Sequence, residues 1–329
     1  MAGCFTACSS NVVSAAKENK DLKIVTTIFP EYDWVMNILG ENPAGAEVTM
    51  LLDNGTDLHS FQPTAEDIIK ISTCDVFVYV GGESDEWVDD VLKEATNKDM
   101  IVISLMDELG NAVKEEEIIE GMEGHDHEHD EDEEHEEHDD HDEHHHEEGG
   151  IEYDEHVWLS LKNASVLVAS ISDAIVKADA ANAETYRANA SAYIDKLNAL
   201  DKEYSDMVSS ALRNVVLFGD RFPFRYMTDD YGLVYYAAFV GCSAESEASF
   251  ETITFLAGKT DENSLPVVLT IEGEDHKIAE TIISNTVTKD QKILSMDSMQ
   301  ATTAADVRNG TTYISVMENN FEVLKEALY

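Results

Sequence analysis

Twelve histidines occur among 329 residues, and they fall into two sets. Nine stand in residues 125–148, a run of 24 positions that holds only His, Asp and Glu. The other three, His59, His156 and His276, are isolated. Neutral imidazole is the commonest protein ligand for metal ions. His59 follows the apolar run 48–52, His276 follows the run 267–271, and His156 stands four residues before Ser160, which can cap a helix. In open parallel α/β sheets, ligands bind beyond the carboxyl ends of the strands. Three histidines so placed, with one carboxylate, suit a four-coordinate zinc ion. The cysteines read differently. Cys74 opens a predicted strand and Cys242 is isolated, so each reads as a small packed hydrophobe.

The elements that would position these residues alternate in type. Short β-branched runs predict strands over 24–27, 48–52, 76–80 and 100–104. Helices are predicted between them, over 32–39 and over 65–71 behind a Thr64-x-x-Asp67 cap. A helix over 161–178 follows, then a longer one over 181–212. In the latter Tyr186, Tyr193, Leu197, Leu200, Tyr204, Val208 and Leu212 recur at helical steps. At about 1.5 Å per residue it would be close to 50 Å long, enough to span two lobes. Strands are expected again at 215–218, 234–239, 267–271 and 292–296, with a last helix over 312–327. The reading is α/β: two lobes, each with a four-stranded mainly parallel sheet flanked by helices, joined by a long backbone helix. The expected division is a tether over 1–20, an amino-terminal lobe over 21–160, helices over 161–212 and a carboxy-terminal lobe over 213–329. Residues 120–150 are read as a solvated loop within the first lobe.

Charge excludes several partners. With 21 Lys+Arg against 68 Asp+Glu, the net charge is −47. Binding a phosphate backbone or an anionic membrane surface needs a cationic face, so nucleic acid is excluded. No apolar stretch is long enough to cross a bilayer. The opening Met1-Ala2-Gly3-Cys4 is similar to the end of a bacterial lipoprotein signal, with Cys4 the residue to be lipidated. That predicts an extracytoplasmic protein, held at the cell surface by a lipid anchor or lying in a periplasm.

The residues around the first two isolated histidines carry a resemblance. Asn54-Gly55-Thr56-Asp57-Leu58-His59-Ser60-Phe61-Gln62-Pro63-Thr64 resembles the first ligand motif, G-x-D-P-H-x-Y/F-x-P, of the zinc/manganese-binding proteins of ABC importers. Asp154-Glu155-His156-Val157-Trp158-Leu159-Ser160 resembles the second, D-P-H-x-W-x-S/D. Leu58 and Glu155 replace the proline of each. The opening 25–30 and the His/acid run between the two motifs also fit, and the likeness covers about 22–328. The third motif, H-[DE]-A-F-G-Y, departs: against Phe218-Gly219-Asp220-Arg221-Phe222-Pro223-Phe224, Gly219 is read at the histidine position and Asp220 as the nearest donor. His276 is read at the fourth position, with Glu272 as its alternate. The expected ligand set is therefore His59, His156, His276 and Asp220. An imidazole-rich set favours Zn²⁺ over Mn²⁺, which prefers oxygen.

The resemblance implies capture of Zn²⁺ between two lobes and delivery to an ABC importer permease, by a monomer. A surface adhesin or zinc buffer of the same fold is the alternative. No H-E-x-x-H or G-x-S-x-G motif points to an enzyme. The clustered His125, His127, His129, His135, His138, His141, His144, His145 and His146 are expected to bind metal weakly and to raise its local concentration.

Overall fold

The computed structural model describes residues 22–123, 152–243, 247–273 and 275–329. The first lobe runs β1 (Lys23–Thr26), α1 (Phe29–Leu39), β2 (Glu47–Met50), α2 (Ala65–Thr73), β3 (Val76–Tyr79), α3 (Trp87–Lys93), β4 (Ile101–Ser104) and α4 (Leu105–Leu109). Two long helices follow, α5 (Leu161–Ala178) and α6 (Ala183–Ser210). The second lobe runs β5 (Val215–Phe222), α7 (Arg225–Tyr231), β6 (Val234–Val240), α8 (Phe250–Glu262), β7 (Val267–Ile271), α9 (Lys277–Asn285), β8 (Lys292–Met296), α10 (Ala304–Arg308) and α11 (Tyr313–Leu328).

The two sheets share one topology. Their strand orders are β2-β1-β3-β4 and β6-β5-β7-β8, and every pairing is parallel. Helices covering both faces explain why the strands are near-continuous apolar runs: β7 is buried at every position. In each lobe the chain leaves the first strand to one side and later crosses to the other. That reversal opens a crevice at the carboxyl ends of the strands. The sequence contains no visible repeat, so the common topology is apparent only in the structure.

The two-lobe α/β reading holds, with a long helix between the lobes. Strand ends move by a residue or two, except at β5, which runs on to Phe222. Its pairing with β6 shifts register between Phe218 and Arg221, so Gly219 and Asp220 form a bulge. A bulge bends a strand and re-aims the side chains beyond it. Here those are the side chains at the mouth of the second lobe.

At 28 residues, α6 is about 42 Å long. Its polar side chains fasten it to both lobes. Asn189 donates to the Ile38 carbonyl at 3.0 Å, and the Tyr193 hydroxyl donates to Asp33 at 2.8 Å. Toward the other end, the Tyr204 hydroxyl donates to the Met317 carbonyl at 2.5 Å. One apolar core runs through both lobes, and a smaller cluster lies between the second sheet, α8 and α9.

Asp33 gives this joint a pH signature. Burial pushes its carboxyl up from 3.8 to about 6, against the lowering effect of the Tyr193 hydrogen bond. The unfolded chain therefore ionises first, and folding stability declines as pH rises through that interval. Thermal melts across it should fall less steeply for Asp33→Asn than for the parent. Parallel profiles would show that this carboxyl does not carry the effect.

Candidate metal centre

His59 and His156 are held by the same local device. In each case an aspartate two residues earlier turns back and accepts the histidine backbone N–H. Asp57 Oδ1 accepts from His59 N at 3.0 Å, and Asp154 Oδ1 from His156 N at 2.9 Å. The Asp57 contact caps the short 3-10 turn Leu58–Ser60. Leu58, in place of the family's proline, is buried beneath that turn.

The rings come together from segments 97 residues apart, with Nε2 of His59 and Nε2 of His156 at 3.3 Å. The other nitrogen of each ring already has a partner. His156 Nδ1 lies 2.9 Å from Asp154 Oδ1, and His59 Nδ1 lies 2.7 Å from Ser84 Oγ. A carboxylate at Nδ1 assigns the proton of His156 to that nitrogen and leaves Nε2 as an acceptor. His59 Nδ1 and Ser84 Oγ share a hydrogen bond whose direction the ring tautomer sets: the Nδ1–H tautomer leaves both Nε2 atoms open to one ion, and the Nε2–H tautomer donates from His59 to His156 Nε2. Nitrogens bound at about 2.05 Å to one tetrahedral ion stand about 3.3 Å apart, so the gap has the dimension of a shared ion.

The surroundings keep His59 unprotonated. Desolvation first, then the neighbouring His156, push its pKa down from 6.5 to about 4, although Asp57 opposes this. Glu155 adds a buried carboxylate: Oε1 accepts from the Ser84 backbone at 2.8 Å, and Oε2 lies 3.5 Å from His59 Nδ1 with no hydrogen-bond partner. A cleft of about 230 Å³ opens beside the pair, lined in part by His59, Ser84, Glu155 and Cys242.

Cys242, in the loop after β6, lies beside the pair. Its Sγ and the two imidazoles offer atoms all within 4.8 Å of one another, and this is the one such group of three or more His, Cys or acidic donors found among the described residues. From the sequence alone this thiol reads as packing. No local pattern marks it, because only the fold brings the end of β6 to His156.

The other expected ligands do not join this set. Asp220 sits in the β5 bulge, where its carboxylate accepts from Arg221 N at 2.8 Å and Ile271 N at 3.3 Å. His276 stands at the start of α9, with Nδ1 buried and unpartnered, close enough to Asp220 to act on its charge. Glu272 accepts from the Ser298 backbone at 2.7 Å and from its hydroxyl at 2.5 Å. At Gly219, read at the histidine position of the third motif, a Cβ would stand 2.7 Å from Ala279 Cα, so α9 packs where a side chain would go. Registering the third motif on its aromatic end, Phe224 and Tyr226, instead sets Arg221 at that position. The Arg221 guanidinium reaches the cleft, with Nη2 3.0 Å from Asp57 Oδ2 and Nη1 donating to the Ser243 carbonyl at 3.4 Å. The nine clustered histidines and Cys4 lie outside the described residues.

Comparison with known proteins decides the family. Residues 24–327 match the family described as zinc-uptake complex component A, periplasmic (ZnuA). The chain belongs to the ZnuA family. The high-affinity zinc uptake system protein ZnuA of Bacillus subtilis is 30% identical over 333 residues, covering 100% of this chain and 96% of that protein. The zinc-binding protein AdcA of Streptococcus pyogenes serotype M6 is 32% identical over 305 residues, 92% of this chain and 55% of that relative. The chain thus spans about half the length of the AdcA relatives it matches. Among solved structures, the Zn(II)-bound ZnuA-like domain of Streptococcus pneumoniae AdcA superposes with a TM-score of 0.69 at 27% identity, over 94% of this chain and 99% of that one.

Within this ZnuA family member, Asp154 orients His156 without being one of the three grouped donors. Loss of such an outer partner typically costs about 10–100-fold in metal affinity. Asp154→Asn should weaken binding by that order in a chelator competition, with the circular dichroism spectrum unchanged. Full affinity in that variant would mean that the contact does not set the ring.

Proposed function

We propose that this chain captures Zn²⁺ outside the cytoplasm, in the cleft at His59 and His156, and delivers it to the permease of an ABC importer. The observation that carries the reading is the pair of Nε2 atoms at 3.3 Å, each ring held by a partner at its Nδ1. The family description and the zinc-named relatives support it. Imidazole donors favour zinc over manganese. The ion is cargo, so the reading is of a binding protein and not an enzyme, acting as a monomer.

Residues 21–160 and 213–329 are taken as the two lobes that close on the ion, joined by the helices of 161–212. Cys4 is taken as the lipid-anchored residue, which would hold the protein at the outer face of the membrane. No described helix is long and apolar enough to cross a membrane. The nine clustered histidines are taken as a weak collector that raises zinc concentration near the cleft. Asp220 and His276, at the carboxyl ends of the second sheet, are the groups left to approach the ion if the lobes rearrange on binding. The adhesin alternative has less behind it: the laminin-binding adhesin of Streptococcus agalactiae, at 19% identity and a TM-score of 0.72, shares the fold alone.

The test is a zinc and manganese titration of protein lacking residues 125–148. One tight zinc equivalent and no tight manganese are expected. A His59→Ala, His156→Ala double variant in the same background should lose more than about a hundredfold in zinc affinity, beyond what outer-shell changes cost. Parental affinity in the double variant would refute the site.

A further inference from the structure

The donor set raises a question about its third member, since a guanidinium stands where the family motif has a ligating histidine. Arg221 remains charged and has no lone pair to give a metal. What it does instead is fix the backbone on both sides of the cleft. Its Nη2 holds Asp57 Oδ2, and the other oxygen of that carboxylate caps the turn carrying His59. Its Nη1 holds the carbonyl of Ser243, the residue after Cys242. One side chain of the second lobe therefore ties the loop of one donor to the loop of another.

The residue before Cys242 is shaped for the same approach. A Cβ on Gly241 would stand 2.7 Å from His156 Cε1 and 3.0 Å from its Nδ1. Only glycine lets the strand end lie flat against that ring. The thiol is delivered to the imidazole pair by a backbone with no room for a side chain at 241.

We propose that Cys242 is the third protein ligand of the transported ion, bound through Sγ as a thiolate beside Nε2 of His59 and Nε2 of His156. The proposal rests on the zinc-capture reading and names a donor that the reading leaves open. Its chemistry is an exchange. The S–H bond breaks, the sulfur pair forms the S–Zn bond, and the proton leaves through the cleft to solvent; nothing is oxidised or reduced. Glu116, Glu155 and Asp154 stand around the thiol. The ion supplies the positive charge that a thiolate needs among those acids. A thiolate and two imidazoles leave a fourth position for water, and they form a softer set than oxygen donors, which favours zinc over manganese.

Cys74 is an internal control. It is buried in the first lobe with its Sγ 3.2 Å from the Ile71 carbonyl and 3.4 Å from Met100 Sδ.

The test uses the full chain loaded with one equivalent of Co²⁺ in place of zinc. The parent should show a near-ultraviolet thiolate-to-cobalt charge-transfer band alongside tetrahedral visible bands. Cys242→Ser should lose the charge-transfer band and weaken zinc binding at least as much as the roughly 10–100-fold of an outer-shell change. Cys242→Asp should narrow the gap between zinc and manganese. On the unmutated chain, one zinc equivalent should slow alkylation of Cys242, read by peptide mapping, and leave Cys74 unaffected; this arm does not depend on any variant folding. Tight cobalt or zinc binding with no charge-transfer band, or with Cys242 alkylated at the metal-free rate, overturns the thiolate and leaves the histidine pair standing. Tight zinc binding that survives loss of both histidines and of Cys242 together overturns the thiolate and the placement of the ion at the histidine pair alike.

Discussion

Two imidazole Nε2 atoms held 3.3 Å apart are the constraint around which this molecule is arranged. Without an ion the two rings meet in a single hydrogen-bond contact. The surrounding structure holds the pair in place. Asp154 and Ser84 hold the Nδ1 side of each ring, and Asp57 and Asp154 fix the backbone that carries the rings. Desolvation disfavours the protonated form of His59. A divalent ion of tetrahedral habit has the matching dimension.

The fold supplies the rigidity this requires. Two sheets of identical topology present their carboxyl ends to a common cleft. α6 is bonded to Asp33 and Ile38 of one lobe and to Met317 of the other, and the core is continuous across the junction. Arg221 closes the opposite side through Asp57 and Ser243. The site therefore rests on a helix bonded to both lobes and an ion pair at the cleft, with the ligand turns between them.

The architecture was largely legible in the sequence because its signals are local. β-branched runs, helix caps and a long helical periodicity each lie within one segment. The turns that carry His59 and His156 were legible for the same reason, since each is an Asp-x-His segment whose geometry is set two residues away. The place of Cys242 beside the pair was not legible, as it depends on Gly241 lying against a ring 85 residues earlier. Asp220 and His276 stand apart from that group for a related reason. The β5 bulge is invisible in sequence, and it turns the Asp220 carboxylate back toward Arg221 N and Ile271 N. The net charge of −47 excluded whole classes of partner but gave no hint of the pair, which lies outside the charge-rich run.

The most direct measurement is zinc-edge X-ray absorption on protein lacking residues 125–148 and loaded with a single zinc equivalent. Two imidazole nitrogens are expected at about 2.0–2.1 Å, recognisable by their outer-ring scattering, with sulfur at about 2.3 Å. A shell of oxygen scatterers with no imidazole signature would contradict it.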